Sequence, residues 1–276
     1  MSMVSHAGAA VTRRRSRVGA SQIARPVVAG LISIVVVSPL IIMVLQSLQT
    51  DSGEWTFENL RFALTDSQVF RWLLNSVIVS VSSTALVLVI HSLAGYALAR
   101  LRFRGREMVF LGVAATMFVS LPVVLVPLFV IVREMGLLDT YVGIVVPTLF
   151  GGFATILMRQ FFLTVPRELE EAARIDGCGH FQTFLRVFLP IAKPAFVSVA
   201  VINFLASWNL FMWPLTITSD SRLWVVQVGI TSFQTQYQGS WGYMMAVTFL
   251  SALPTLVVFF ILQRYIVASL KTSGIK

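Results

Sequence analysis

PVVAGLISIVVVSPLIIMVLQSL, residues Pro26–Leu48, runs for 23 residues without a charged side chain. An α-helix rises 1.5 Å per residue, so about 20 apolar residues cross a hydrocarbon core of roughly 30 Å. A basic segment, Arg13–Arg25, precedes it. A cleaved export signal also begins this way, but its apolar part is only about 7–15 residues long. The stretch is therefore read as a retained first spanning helix.

Five further segments meet the same test: Trp72–Ala99, Met108–Val132, Tyr141–Met158, Ala195–Leu215 and Trp241–Leu262. None contains Asp, Glu, Lys or Arg. The 276-residue chain is 57% hydrophobic and 12% charged, against about a quarter charged in soluble domains. These segments lack the polar stripe that a soluble bundle presents to water. The expected fold is an all-α polytopic membrane protein with about six transmembrane helices. A basic cytoplasmic segment (1–25) precedes a membrane domain (26–265), and a cytoplasmic tail (266–276) follows it. Aromatic residues near the span ends, among them Trp72, Trp208, Trp213, Trp224 and Trp241, suggest an interfacial belt.

Charge sets the orientation. Of 21 Lys and Arg, only Arg61, Arg71, Arg133 and Arg222 fall in segments that are external when the N-terminus is internal. The other 17 are internal, a strong positive-inside bias that places both termini in the cytoplasm. The net charge of +9 is spread in short clusters between apolar stretches, so the lipid surface and a cytoplasmic partner account for it and nucleic acid does not. The single cysteine, Cys178, excludes an intrachain disulfide and a cysteine metal centre.

A transporter driven by an ion gradient keeps ionisable groups inside the membrane. Here the spans hold only His91, which reads as a packing residue with a proton relay as the other possibility. Histidines 6, 91 and 180 are scattered, and no catalytic cluster or metal site emerges. No G-x-x-x-x-G-K-[ST] loop exists to cradle nucleotide phosphates. If ATP powers this chain, another subunit binds it, and the cytoplasmic loops must receive that subunit.

Only one inner loop is long: LTVPRELEEAARIDGCGHFQTFLRVFLPIAKP, Leu163–Pro194. Pro166 suits a helix start, and Glu168, Glu170 and Glu171 suit its positive end. The helix is expected to run to about Asp176, with Gly177 as its stop. A second amphipathic stretch, Gly179–Leu189, carries Phe181, Phe184, Leu185 and Phe188 at i, i+3, i+4, i+7 spacing. Pro190 and Pro194 break it before the fifth span. The expected product is a helix–turn–helix bracket between spans four and five.

Glu171, Ala172, Ala173, Gly177, Val187, Leu189 and Pro190 match the pattern E-A-A-x-x-x-G-x(9)-I-x-L-P, with Val for Ile as the one departure. This resembles the EAA motif of ABC importer permeases. Asn75–Ser76, GYALARLRFRGR (Gly95–Arg106), Pro122, Pro127, GLLDTYVGIVVP (Gly136–Pro147), SWNLFMWPL (Ser207–Leu215) and the tail QRYIVASLKTSGIK extend the likeness over nearly the whole chain. They resemble the carbohydrate-uptake branch, of the kind serving maltose and glycerol 3-phosphate. Leu210 stands where that branch often has an acid after Trp-Asn, so no role of that acid is carried over.

The resemblance implies a permease of a binding-protein-dependent importer in a prokaryotic plasma (inner) membrane, moving a sugar or sugar-like solute. Glycerol-phosphate-type or other small polar solutes, and a secondary transporter, are the alternatives. It implies a second homologous permease as heterodimer partner, a dimer of ATP-binding subunits at the cytoplasmic face and an extracytoplasmic solute-binding protein. No cofactor is expected on this chain; ATP and Mg belong to the partner ATPase. Glu168, Glu171, Ala172, Ala173, Asp176, Gly177 and Pro190 become the ATPase-coupling residues. Ala172 and Ala173 allow close seating, and Glu171 pairs with a basic group or merely meets the helix dipole. For the pathway the expectations are Asn75, Pro122, Pro127 and Asn209, the two prolines kinking span three as pathway features or as plain architecture. Asn203 faces another helix or the path. Gln234, Gln236 and Gln238, in the outer segment Thr216–Ser240, are candidates for touching a binding protein.

Overall fold

The structure, a computed structural model, describes residues 20–236 and 240–273. Arg13, Arg14, Arg15, Arg17, Gln238 and Lys276 lie outside the described residues. The chain divides into two units. The first, ending at Met43, holds most of helix α1 (Ala20–Ser47). Its Val28–Ser47 portion is long and apolar enough to cross a membrane.

The second unit, from Val44 on, contains every other element. Helix α2 (Val69–Arg100) is a single unbroken span. Helix α3 (Arg106–Ala115) leads through a 3-10 turn to α4 (Leu121–Glu134), bent from it by 103°. Helix α5 (Tyr141–Val145) with its 3-10 extension to Leu149 meets α6 (Gly152–Thr164) at 48°. Helix α7 (Arg167–Ile175) is followed by the helical run α8 (His180–Ile191), which meets α9 (Lys193–Trp208) at 78°. Then come α10 (Met212–Ile217), α11 (Val226–Gln236) and α12 (Trp241–Ser273), of which Trp241–Ile261 is apolar enough to span. Among the described residues three helices thus qualify as spans, or up to six if each bent pair is one crossing. No strand occurs among the described residues.

Three of the expected spans are broken. Val119 and Ser120 are extended, and Pro122 sits in the first turn of α4 rather than inside a continuous helix. A proline there lacks only an N–H that had no partner in any case. Span three is thus bent just before Pro122, which opens the new helix, while Pro127 lies within it. Phe150 and Gly151 interrupt span four. Span five ends at Trp208 and not at Leu215. The bracket Leu163–Pro194 also ends later than read. A wide π turn, Phe184–Phe188, precedes Pro190, and the helix continues to Ile191 before Pro194 starts α9. The segment Thr216–Ser240 is not all loop, because α11 occupies 11 of its 25 residues.

Side-chain packing explains α11. Trp72 Nε1 donates to the Ser221 carbonyl at 2.9 Å, and the Ser76 hydroxyl accepts the Val226 N–H at 2.8 Å. The latter satisfies an orphan donor at the start of α11. Val226, Val228 and Phe233 are buried beneath it. The belt reading of the tryptophans needs correction too. Trp72, Trp208 and Trp213 are almost wholly buried, and Trp208 and Trp213 donate to Ser251 and Gly143 carbonyls. They fill cores and bridge helices, as buried indoles do when their N–H finds a partner.

Candidate functional site

The bracket is built from its own local rules. Pro166 precedes α7, and Glu168 and Glu170 occupy its first turn, where the helix dipole favours anions. At the other end Gly177 has φ +81°. The Cys178 N–H reaches the Ala173 carbonyl at 2.9 Å and the Gly177 N–H reaches Arg174 at 3.0 Å. These two bonds are a Schellman closure, and a Cβ at the left-handed position would cost about 1–2 kcal/mol. The second arm starts with the Gln182 side chain accepting the Gly179 N–H at 3.2 Å.

α7 has two unlike faces. Glu170 and Ala173 are buried. Glu168, Glu171, Ala172 and Ile175 recur at i, i+3, i+4, i+7 and are all exposed. Ile175, at 87% exposed, is an apolar side chain with nothing covering it. Asp176 and Gly177 at the turn are exposed, as is Pro190 on α8. The two alanines expected to act alike therefore divide: Ala173 seats α7 on its own chain, and Ala172 remains on the outer face. Glu171 makes no ion pair among the described residues, whereas its neighbour Glu170 does.

What holds the bracket was not read from the sequence. Arg100, at the end of α2, donates from Nε to the Phe162 carbonyl at 3.1 Å and from its terminal nitrogen to the Val165 carbonyl. These carbonyls stand at the C-terminal end of α6, where the last carbonyls run short of intrahelical donors; that of Phe162 also takes the Val165 N–H at 3.3 Å. The same guanidinium lies 5.0 Å from the Phe188 ring centre of α8 and 3.9 Å from Glu170 of α7. Its side chain is 5% exposed and that of Glu170 11%. Glu170 in turn accepts from Arg174 at 2.7 Å, four residues on. Tyr96, one turn earlier on α2, donates to the His180 carbonyl at 3.2 Å and packs against Phe162, Phe184 and Phe188. Gly95 permits this contact: a Cβ there would stand 2.7 Å from Met158 Cβ and 2.9 Å from the Arg159 nitrogen. One cation thus ties α6, α7 and α8 to the end of α2. The available sequence signals were the Glu170–Arg174 spacing and a lone arginine ending an apolar span.

The proposed pathway residues scatter. Asn75 is buried, donating to the Arg222 and Trp224 carbonyls at 2.9 and 2.8 Å and accepting from the Tyr141 hydroxyl at 2.7 Å. It clamps the segment Arg222–Trp224, with both amide hydrogens engaged by the chain's own carbonyls. Asn209 is exposed at the end of α9, bonded to the Leu205 carbonyl and to Gln227 at 3.4 Å. Pro122 and Pro127 are exposed on α4. A cavity of about 220 Å³ opens instead beside Asn203, Ser207, Thr148 and Leu210. Ser83 links Thr148 (2.8 Å), Ser207 (3.2 Å) and Asn203 (3.4 Å) around it. No charged side chain lines it. His91 is a packing residue: its ring nitrogens meet Thr155 Oγ1 at 2.6 Å and the Leu149 carbonyl at 2.9 Å. The break at Phe150 and Gly151 leaves that carbonyl in need of a donor. No metal-ligand cluster exists among the described residues.

Residues 91–272 match the family model described as binding-protein-dependent transport system inner membrane component. The chain is 32% identical over 231 residues to the arabinooligosaccharides transport system permease protein AraQ of Bacillus subtilis, covering 83% of this chain and 82% of that one. It is 34% identical over 202 residues to the sn-glycerol-3-phosphate transport system permease protein UgpE of Rhizobium meliloti, covering 72% of each. Among solved structures, a chain of a bacterial ABC transporter involved in the import of the acidic polysaccharide alginate superposes with a TM-score of 0.78. The match covers 88% of this chain and 95% of that one at 24% identity.

Proposed function

Because the chain belongs to the family of binding-protein-dependent transport system inner membrane components, we propose that α7 receives a separate ATP-hydrolysing subunit and passes its movement to the spans. The chain is a multi-pass permease of an ABC importer in the inner membrane. The observation that carries the coupling role is the exposed Glu168, Glu171, Ala172 and Ile175 stripe on a helix whose other face is latched to α2 through Arg100. A load applied to that stripe reaches α2, α6 and α8 together, because the latch touches all three.

The cargo is a sugar or sugar-like solute. The uncharged cavity beside Asn203 and Ser207 supports this reading, since hydroxyl and amide groups suit a neutral polyol. A glycerol-phosphate-type solute is the second reading, carried by the likeness to UgpE. A second homologous permease completes the pathway as a heterodimer. Two ATP-binding subunits with their ATP and Mg dock beneath it, and a solute-binding protein delivers cargo outside. Both termini are cytoplasmic, which the distribution of Lys and Arg supports.

Uptake by the assembled transporter, with sugar-dependent stimulation of its ATPase, tests this reading. Gly177→Asp and Glu171→Lys abolish transport while the protein remains membrane-inserted. Undiminished uptake by both variants overturns the coupling role.

A further inference from the structure

A cavity of about 380 Å³ lies where α7 crosses the end of α2, and five arginines and two glutamates line it. Five guanidinium groups face two carboxylates, Glu170 and Glu171, the latter without an ion pair among the described residues, so its net charge is positive. Glu170 is taken by Arg174 at 2.7 Å with Arg100 at 3.9 Å. Arg106 pairs at 3.1 Å with Glu107, which is not in the lining. Arg102 and Arg167 are exposed and have no ion-pair partner among the described residues. A concave site with excess guanidinium forks is built for a group with several anionic oxygens.

The position narrows the ligand. Arg102 stands in the turn between α2 and α3, and Arg106 opens α3. Both lie within a turn or two of the ends of apolar helices, where a spanning helix meets the headgroup region. Phe103, Met108 and Val109 flank them and are exposed, Met108 at 77%. Cations beside uncovered apolar side chains at a span end match the two halves of a lipid, the phosphate and the chains beneath it.

We propose that this cavity binds the phosphate group of an anionic phospholipid from the adjoining leaflet. The occupant bridges Arg167 of α7 to Arg102 and Arg106 of the α2–α3 turn. It thereby braces the bracket and makes transport depend on anionic lipid. The site rests on the arginine geometry and on the interfacial position of the turn, not on α7 touching an ATPase, so either assignment can fail without the other.

The test uses the purified transporter in detergent. It compares dioctanoyl phosphatidylglycerol with dioctanoyl phosphatidylcholine by native mass spectrometry and thermal shift, with inorganic phosphate and glycerol 3-phosphate as free-anion probes. Phosphatidylglycerol binds in preference to phosphatidylcholine, and the preference weakens with salt. Arg102→Gln combined with Arg167→Gln lowers phosphatidylglycerol binding about tenfold and leaves phosphatidylcholine binding and the lipid-free melting temperature unchanged. Arg104→Gln, an exposed neighbour outside the cavity lining, stays within about twofold of the parent. The proposal is overturned if the double variant retains phosphatidylglycerol, if Arg104→Gln loses as much, or if free phosphate binds and the lipid does not. Loss of the ATPase subunit from the double variant with lipid binding intact also overturns it, and assigns the arginines to an acidic protein surface.

Discussion

Replacing Arg100 with Met tests the latch directly. The variant keeps the aliphatic bulk beside Phe188 and removes the charge. Two carbonyls at the end of α6, those of Phe162 and Val165, lose a cationic donor. Hydrogen bonds of that kind contribute about 1.5–3 kcal/mol each. The Phe162 carbonyl keeps a partial substitute, the Val165 N–H at 3.3 Å, so its loss falls at the low end. Glu170 keeps Arg174, its nearer partner, and the 3.9 Å contact with Arg100 adds little by itself. The cation–ring contact contributes about 0.5–1 kcal/mol more. A total of roughly 3–5 kcal/mol follows, the usual cost of removing one member of a buried charged cluster. For a chain of this size that corresponds to a melting temperature lower by roughly 10 °C. The assay is thermal unfolding of the purified transporter followed by tryptophan fluorescence, with exposed Arg104→Gln as the control. ATPase activity should also lose its stimulation by substrate in Arg100→Met, because the bracket is no longer fixed to α2. Melting within about 1 °C of the parent, with stimulation intact, refutes the latch.

Three further outcomes are expected. Gly95→Ala should destabilise by about 1–3 kcal/mol, because the new Cβ meets Met158 Cβ at 2.7 Å and a backbone nitrogen at 2.9 Å. The helix-propensity gain of about 1 kcal/mol is too small to reverse this, and a higher melting temperature would contradict the packing. Gly177→Ala should cost about 1–2 kcal/mol and Gly177→Asn less, since asparagine tolerates positive φ; equal losses in thermal unfolding would point to something other than backbone conformation. His91→Gln should leave the pH profile of uptake unchanged, because His91 holds Thr155 and the Leu149 carbonyl together rather than carrying a proton. A shifted profile in that variant would restore the proton-relay reading.

The spans, the bracket and the turn at Gly177 were legible because each depends on local composition or on a backbone rule. Pro26–Leu48 and Trp241–Leu262 announce themselves by length and lack of charge. The breaks at Val119–Ser120 and at Asn209 were not legible, since their residues are compatible with helix and only tertiary packing decides against it. α11 was read as loop because GlnThrSer-rich sequence has weak propensity. Its helix depends on Ser76 and on burial of Phe233, contacts about 150 residues apart in the first case. For Asn75 a buried amide says that a partner exists, and tertiary structure supplies which one, here the Arg222 and Trp224 carbonyls. Glu171 drew attention through its motif, yet Glu170 carries the internal ion pairs. Which of two adjacent acids faces inward depends on the phase of α7 against α2, and that is set by Arg100.

Photo-crosslinking from the outer face of α7 addresses the coupling role most directly. Benzoylphenylalanine at position 175, in the assembled transporter, should yield an adduct with the ATP-hydrolysing subunit whose intensity changes when ATP is added. The same group at Val126, exposed on α4, should yield none. A transporter that imports its solute and hydrolyses ATP, yet gives no such adduct from position 175, would contradict the account.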